Sequence, residues 1–345
     1  MSAIRSSRRD LAKGLAFIGL AASAPAAMAQ GAASGSGAID AAVRAAHAKY
    51  ASLNEGKNAD YIPALAKVPS NYFGIALTTP QGHTSSVGDI APTFSIQSIS
   101  KVFTMALVMQ ESGDQLIEDS VGVDATGQVF NSINAVEQFR GKEMNPFVNP
   151  GAIATTGNVK GANADEVWNK ILGIHSAFAG RQLDIDKEVY KSESDTNQRN
   201  RAISMLMSAY ERFKGDPAQA VDLYTRQCSI AVNAKDLGVM AATLANGGKN
   251  PITRKQVIDN RHVAGILAVM ATAGLYDDSG KWLFHTGLPA KSGVGGGLIA
   301  VSPGKFGIGT FAPPLDAAGN SVRGQRAITD ISNALDGNPY SVRPV

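Results

Sequence analysis

Apolar and polar positions recur with two different periods along the chain, and the changes of period mark its elements. Apolar residues near every 3.6 positions predict a helix over 39–53. Tyr72-Phe73-Gly74-Ile75-Ala76-Leu77-Thr78 predicts a strand, turned by Pro80-Gln81-Gly82 into a second short strand near 84–87. A long apolar helix begins at Ser98 and stops near Gly113. Helical patterns then dominate to about Ala273, clearest over 194–213, 217–226, 234–244 and 254–273. Asp216 before Pro217 is a start signal, and Asn246-Gly247-Gly248 and Gly274 read as helix ends. After Tyr276 the pattern predicts strands over 282–288, 295–301 and 307–311, then a last helix over 325–335. Strands near both ends with helices between predict a sheet domain from residues 39–113 and 277–345, with a helical domain, 114–276, inserted. There is no internal repeat.

Composition narrows the class. Of 345 residues, 44% are hydrophobic and 18% charged, enough apolar material for a core, which excludes disorder as the main state. The single cysteine, Cys228, excludes a disulfide framework and any thiolate-bound zinc or iron–sulfur site. It reads as a small buried hydrophobe. The net charge of +3 resides in residues 1–29, where Arg5, Arg8, Arg9 and Lys13 face only Asp10; the remainder is neutral, so no nucleic-acid footprint is expected. Those 29 residues read as an export signal: a basic stretch, the apolar run Leu15–Leu20 and Ala27-Met28-Ala29 as the cleavage pattern. Ser7-Arg8-Arg9-Asp10-Leu11 resembles the twin-arginine motif, which predicts a periplasmic protein. The apolar run is too short to span a bilayer, so no stable membrane insertion is expected after processing. Residues 30–38, rich in Gly, Ser and Ala, predict a flexible spacer.

The candidate chemistry centres on Ser98-Ile99-Ser100-Lys101. Residues i and i+3 share a helix face, so the Ser98 hydroxyl and the Lys101 amine are neighbours. A serine becomes nucleophilic when a base takes its proton, and a lysine serves if burial lowers its pKa. The helix start favours a developing alkoxide. Taken alone, the spacing is equally that of an N-cap serine and a solvated lysine. Lys291-Ser292-Gly293, before a strand, resembles the Lys-Thr-Gly strand of serine β-lactamases and penicillin-binding proteins. Such a strand offers a backbone N–H to pair with that of Ser98 as an oxyanion hole. Tyr276 is a second proton-transfer candidate, and the sequence leaves the base open between it and Lys101. The five histidines form no His-Glu-x-x-His pair, and neither a Gly-x-Ser-x-Gly elbow nor a Walker A loop is present. The glycines at 295–297 lead into Val-Ser-Pro-Gly and not into a helix, so they do not make a dinucleotide loop. Asn145 and Asn149 read as caps of the turns at Pro146 and Pro150.

Longer stretches resemble the serine-dependent, β-lactamase-like glutaminase family: Asp60-Tyr61-Ile62-Pro63, Gln97-Ser98-Ile99-Ser100-Lys101-Val102, Phe130-Asn131-Ser132, Asn145 through Ile153, Ser192-Glu193 with Arg199-Asn200, Gln227-Cys228-Ser229-Ile230, Met240 through Gly248, Gly287 through Val294, and Pro313-Pro314-Leu315-Asp316 with Gly319-Asn320-Ser321-Val322. The resemblance spans about residues 55–337. It implies an α+β fold of the serine β-lactamase/transpeptidase type, a mainly antiparallel sheet flanked by helices with the helical insertion. It implies hydrolysis of L-glutamine to L-glutamate and ammonia without metal or organic cofactor. Ser98 would be the nucleophile, Lys101 and Tyr276 the proton handlers, and the N–H groups of Ser98 and Val294 the oxyanion hole. Asn131, Glu193, Asn200, Tyr224, Tyr276, Val294 and Tyr61 would contact substrate. Glu193 suits an ammonium and the asparagines a carboxylate. Without the resemblance, Tyr224 is equally a core residue and Tyr61 a turn aromatic. The family also implies a homodimer or homotetramer. Asp124-Ala125-Thr126-Gly127 departs from the family's Glu-Pro-Ser-Gly, and Pro150 from its alanine. The competing reading is a β-lactamase or penicillin-binding-protein-like acyl enzyme, for which Ser194-Asp195-Thr196 is the nearest approach to Ser-Asp-Asn.

Overall fold

The computed structural model describes residues 24–142, 144–342 and 344. The expected export segment lies outside the described residues as far as residue 23. A helix, Ala24–Tyr50, takes in the rest of it and all of 30–38, where composition predicts a spacer. Alanine has the highest helix propensity, and the alanines around Gly31, Gly35 and Gly37 offset the glycines' cost of about 1 kcal/mol each. By contacts, the described residues up to Gly37 fall in one unit and those from Ala38 onward in another. Every strand among the described residues belongs to the second unit.

These strands are β1 (Gly74–Thr78), β2 (Thr84–Gly88), β3 (Phe94–Ser95), β4 (Asp184–Ile185), β5 (Ile230–Val232), β6 (Ala290–Ser292), β7 (Gly297–Ser302) and β8 (Phe306–Phe311). Five of them make one antiparallel sheet in the order β2-β1-β8-β7-β6, and β3-β5-β4 make a small second one. The main sheet is therefore drawn from both ends of the chain, as the pattern predicts. Strand β7 shows why it forms. Leu298 and Ala300 join Ile75, Leu77 and Ile308 on one face, against Ala327, Ile328 and Ile331 of the helix Val322–Ala334. Ile299 and Val301 turn to the other face with Leu237, Met240 and Ala241 of the helix Ala234–Ala245. A period of two with both faces buried gives an unbroken apolar strand.

The helix Ala234–Ala245 lies closer to the sheet than side chains normally permit. A Cβ on Gly307 would stand 2.0 Å from the Ala242 nitrogen, and one on Gly309 2.4 Å from the Gly238 nitrogen. This helix belongs to the stretch that the sequence pattern assigns to the helical domain, yet it packs on the sheet.

Other expectations need correction. Residues 282–288 form no strand; Ser279–Thr286 is a helix ended by Gly287 in the left-handed conformation, φ 72°. Trp282 and Thr286 are buried, four apart, while Phe284 is 84% exposed, which is helical spacing. The run 194–213 is two helices, Lys187–Thr196 and Gln198–Ala209, parted at Asn197. The run 254–273 shortens to Val263–Ala273 behind the 3-10 turn Asn260–His262. Asp216 caps Pro217–Cys228 as read, accepting from the Ala218 N–H. Among the described residues no helix is long and apolar enough to cross a membrane.

Candidate active site

Ser98 sits in a 3-10 turn, Gln97–Ile99, that feeds the helix Ser100–Ser112. That helix is buried along nearly its whole length and ends at Gly113, φ 85°. Gln97 has φ 51°, the left-handed region that a non-glycine residue rarely occupies. This strain is compensated by two hydrogen bonds from its amide, to Ser95 Oγ and to Glu193 Oε2, both 3.2 Å. Strained backbone of this kind gathers at functional sites.

The loop after β6 closes the other side. Gly293 and Gly295 bracket Val294, and a Cβ on either would stand 2.7 Å from a carbonyl oxygen, of Ile96 and Ser95 respectively. Only glycine lets residues 293–295 run that close to residues 95–97. The result sets the backbone of Val294, which is buried, beside the Ser98 turn.

Lys101 is 1% exposed. Its Nζ donates to Asn149 Oδ1 at 2.7 Å and to the Phe147 carbonyl at 3.0 Å, not to Ser98. It also lies 5.7 Å from the centre of the Tyr224 ring. Burial lowers its pKa to about 8, against the opposing pull of Cys228 and Glu193. Tyr276 is the side chain whose titration Ser98 influences. Its hydroxyl donates to the Ser292 carbonyl at 3.4 Å. Burial pushes that hydroxyl up to about 12, with the side chains of Ser98 and Ser292 pulling the other way. Tyr276 too has a left-handed backbone, φ 54°. Lys291, buried in β6, holds its Nζ 4.3 Å from the centre of the Tyr276 ring and donates to the carbonyls of Gly274 and Ser292.

Glu193 is 8% exposed, and burial raises its carboxyl to about 7, with Gln97 and Lys101 pulling it down. Tyr224, buried, donates to Asn149 Oδ1 at 3.1 Å. Asn149 Nδ2 donates to Asn200 Oδ1 at 3.0 Å. Asn149 is thus the hub of the polar floor, touching Lys101, Tyr224 and Asn200, and the reading of it as a turn cap is corrected. Its cue was present but ambiguous, since an asparagine before Pro150 is also what a helix start requires. Asn145 does act as a cap, accepting from the N–H groups of Phe147 and Val148.

These groups line one cavity of about 210 Å³ that includes Ser98, Asn149, Glu193, Asn200, Tyr224 and Val294. Lys101 and Tyr276 are not among its lining residues; Lys101 reaches it through Asn149. Tyr61 and Asn131 also line it; Tyr61 is 55% exposed, and the Asn131 carbonyl accepts from Arg199 Nε at 2.9 Å. Cys228 is buried with its thiol pushed up to about 12 by burial, which leaves it no thiolate to attack with.

A helix entered through a buried serine and facing the edge of an antiparallel sheet defines the serine β-lactamase-like class of folds. The glutaminase family model matches residues 56–340. The Colwellia psychrerythraea glutaminase is 52% identical over 86% of this chain and 95% of its own. The Brucella canis glutaminase is 50% identical over 90% and 98%. Among solved structures, one described as the probable glutaminase ybaS is 45% identical with a TM-score of 0.87, over 89% of this chain and 99% of that one. Mglu in its glutamate form is 34% identical with a TM-score of 0.82, over 87% and 69%. The chain belongs to the glutaminase family.

Proposed function

We propose that the protein hydrolyses L-glutamine to L-glutamate and ammonia through a covalent intermediate on Ser98. The observation that carries this reading is one small cavity holding a buried serine, a carboxylate and a polar floor. Its volume suits a single amino acid. In this reading Glu193 pairs with the substrate ammonium, while Asn200 and Tyr61 meet its carboxylate end. Glutamine's side chain then lies along the floor to Ser98. The tyrosine hydroxyl orients the serine, and neutral Lys101, one turn along, is the final proton acceptor.

Ser98 Oγ attacks the amide carbon, and the carbonyl oxygen gathers charge under the N–H groups of Ser98 and Val294. The C–N bond breaks as the proton passes through Tyr276 to the leaving nitrogen, which departs as ammonia. Water then attacks the ester and gives a proton to Lys101; as the bond from the acyl carbon to Ser98 Oγ breaks, Lys101 passes that proton to the oxygen, which releases glutamate and restores Ser98 and the free amine.

An ammonia assay with glutamine, asparagine and a penicillin in parallel tests the reading. Glutamine turnover lost in Ser98→Ala with an unchanged circular-dichroism spectrum supports it. Near-native turnover in that variant sinks the mechanism, and penicillin hydrolysis without ammonia from glutamine sinks the substrate. The export pattern in residues 1–29 supports a periplasmic location by the twin-arginine route. A fusion of that segment to a reporter that stays in the cytoplasm of cells lacking the twin-arginine translocase, yet is exported by others, tests the route. The family relationship supports a homodimer or homotetramer, which sedimentation reads directly.

A further inference from the structure

In the proposed reaction Tyr276 carries a proton, and its backbone is left-handed, φ 54°. A bulky residue stays in that region only where its surroundings over-determine it. Ser279 Oγ supplies part of the hold, donating to the Tyr276 carbonyl at 2.8 Å and accepting from the Leu275 N–H at 3.0 Å. Asn320, 45 residues beyond Leu275, supplies another part. It is 0% exposed. Its Nδ2 donates to the Leu275 carbonyl at 3.3 Å, and its Oδ1 accepts from Ser292 Oγ at 2.6 Å. Exchanging the two amide atoms would set oxygen against the Leu275 carbonyl, so the partners fix the orientation.

The two ends of this amide grip the two places that decide where the tyrosine points. Leu275 is the residue from which Tyr276 extends. Ser292 is the residue whose carbonyl accepts the Tyr276 hydroxyl, and the same carbonyl accepts Lys291 Nζ at 2.8 Å. The turn that carries Asn320 lies against the site as well. A Cβ on Gly319, φ 94°, would stand 3.7 Å from the Tyr276 ring and 3.8 Å from Val294 Cγ1. Asp316 closes that turn, its Oδ1 accepting from the N–H groups of Ala318 and Asn320, both at 3.0 Å. We propose that Asn320 is a positioning residue: it fixes the span between the backbone of Tyr276 and the strand that receives its hydroxyl, and so keeps that hydroxyl where it serves the reaction at Ser98.

Substrate recognition in the proposed reaction rests on Glu193, Asn200 and Tyr61, which stand on other segments of the chain. Loss of Asn320 therefore slows proton transfer to the leaving nitrogen and lowers kcat with little change in KM. This kinetic effect rests on the glutaminase reading; the hold on Tyr276 does not.

A double-mutant cycle decides it. Asn320→Leu, close in volume, is expected to lower kcat for glutamine about a hundredfold, with the KM and the calorimetric affinity for L-glutamate within about threefold of the unaltered protein. In a Tyr276→Phe background the same change should cost less than about threefold, because no hydroxyl is left to place. Ser292→Ala cuts the bracket at its other end and should show the same dependence on the Tyr276 hydroxyl; it takes over the test if circular dichroism shows Asn320→Leu unfolded. Equal losses with and without that hydroxyl, or glutamate affinity that falls as far as turnover does, overturn the proposal and leave Asn320 a packing group. Labelling of Ser98 by a fluorophosphonate, read by mass, separates the two readings. If glutamine is not hydrolysed, labelling that slows in Asn320→Leu, but not when Tyr276 is already Phe, upholds the positioning role while the activity reading falls. A Ser98 that neither labels nor turns over in the unaltered protein overturns both.

Discussion

Two buried contacts of this molecule reach the same tightness by opposite means. Where the helix Ala234–Ala245 meets β8, glycines remove side chains and the two backbones touch directly. At the floor of the candidate active site the contact is made by Lys101, Asn149, Tyr224 and Asn200, each bonded to the next. The first contact is indifferent to pH and tolerates no added atom. The second accepts atoms of other shapes but depends on which protons are present. Stability is concentrated in the former and chemistry in the latter.

Mutations can break this contrast. The largest effect is on the reaction: Ser98→Ala is expected to lower kcat by roughly four orders of magnitude or more, measured as ammonia release, with the melting temperature little changed. Gly309→Val should do the reverse. It forces side-chain atoms into the Gly238 backbone and costs about 3 kcal/mol or more of stability, read by denaturant unfolding. Equal stability in that variant would show that the helix has room to lift.

Asn149→Leu keeps the volume but takes the acceptor from both Lys101 and Tyr224. It should lower kcat/KM about a hundredfold and move the alkaline rise of the rate to lower pH, because the ammonium form of Lys101 loses its best partner. A drop in activity without that shift would mean that Lys101 is not the titrating group.

The smallest effect sharpens the comparison most. The carboxyl of Glu193 is raised to about 7 from an unfolded value of 4.5, so folding holds its proton, and stability from this group is lost as pH rises through that interval. Lys101 is lowered to about 8 from 10.5, so its penalty is complete below 8 and is relieved above it. Between pH 7 and 8 both penalties act together, and there the proposed reaction is expected to speed up, since it calls for the carboxylate and the free amine. Glu193→Gln should therefore stabilise the fold by on the order of 1–3 kcal/mol at pH 7.5 and by much less at pH 5, while glutamine affinity falls. Equal gains at both pH values would remove the link between burial and charge.

The sequence made the sheet and its two-ended origin legible, because these rest on local periods of two. It misread Trp282 through Leu288, where a short apolar run carries no period long enough to choose between helix and strand. It placed Lys101 against Ser98, whereas the amine bonds Phe147 and Asn149, partners 46 and 48 residues away that no local spacing reveals. Asn149 was hidden for the same reason: its neighbours in the chain suggest a cap, and its neighbours in space define its job.

Gln97 has one further consequence. Its amide bridges from the Ser98 turn to Glu193, so the proposed receptor for the substrate's amine and the proposed attacking hydroxyl share a single lever. Any pull exerted on Glu193 by an arriving cation is transmitted to a backbone already held off its resting shape, one bond from Ser98. In the proposed reaction, recognition at one end of a five-carbon molecule would thereby be felt at the other end before any covalent change begins.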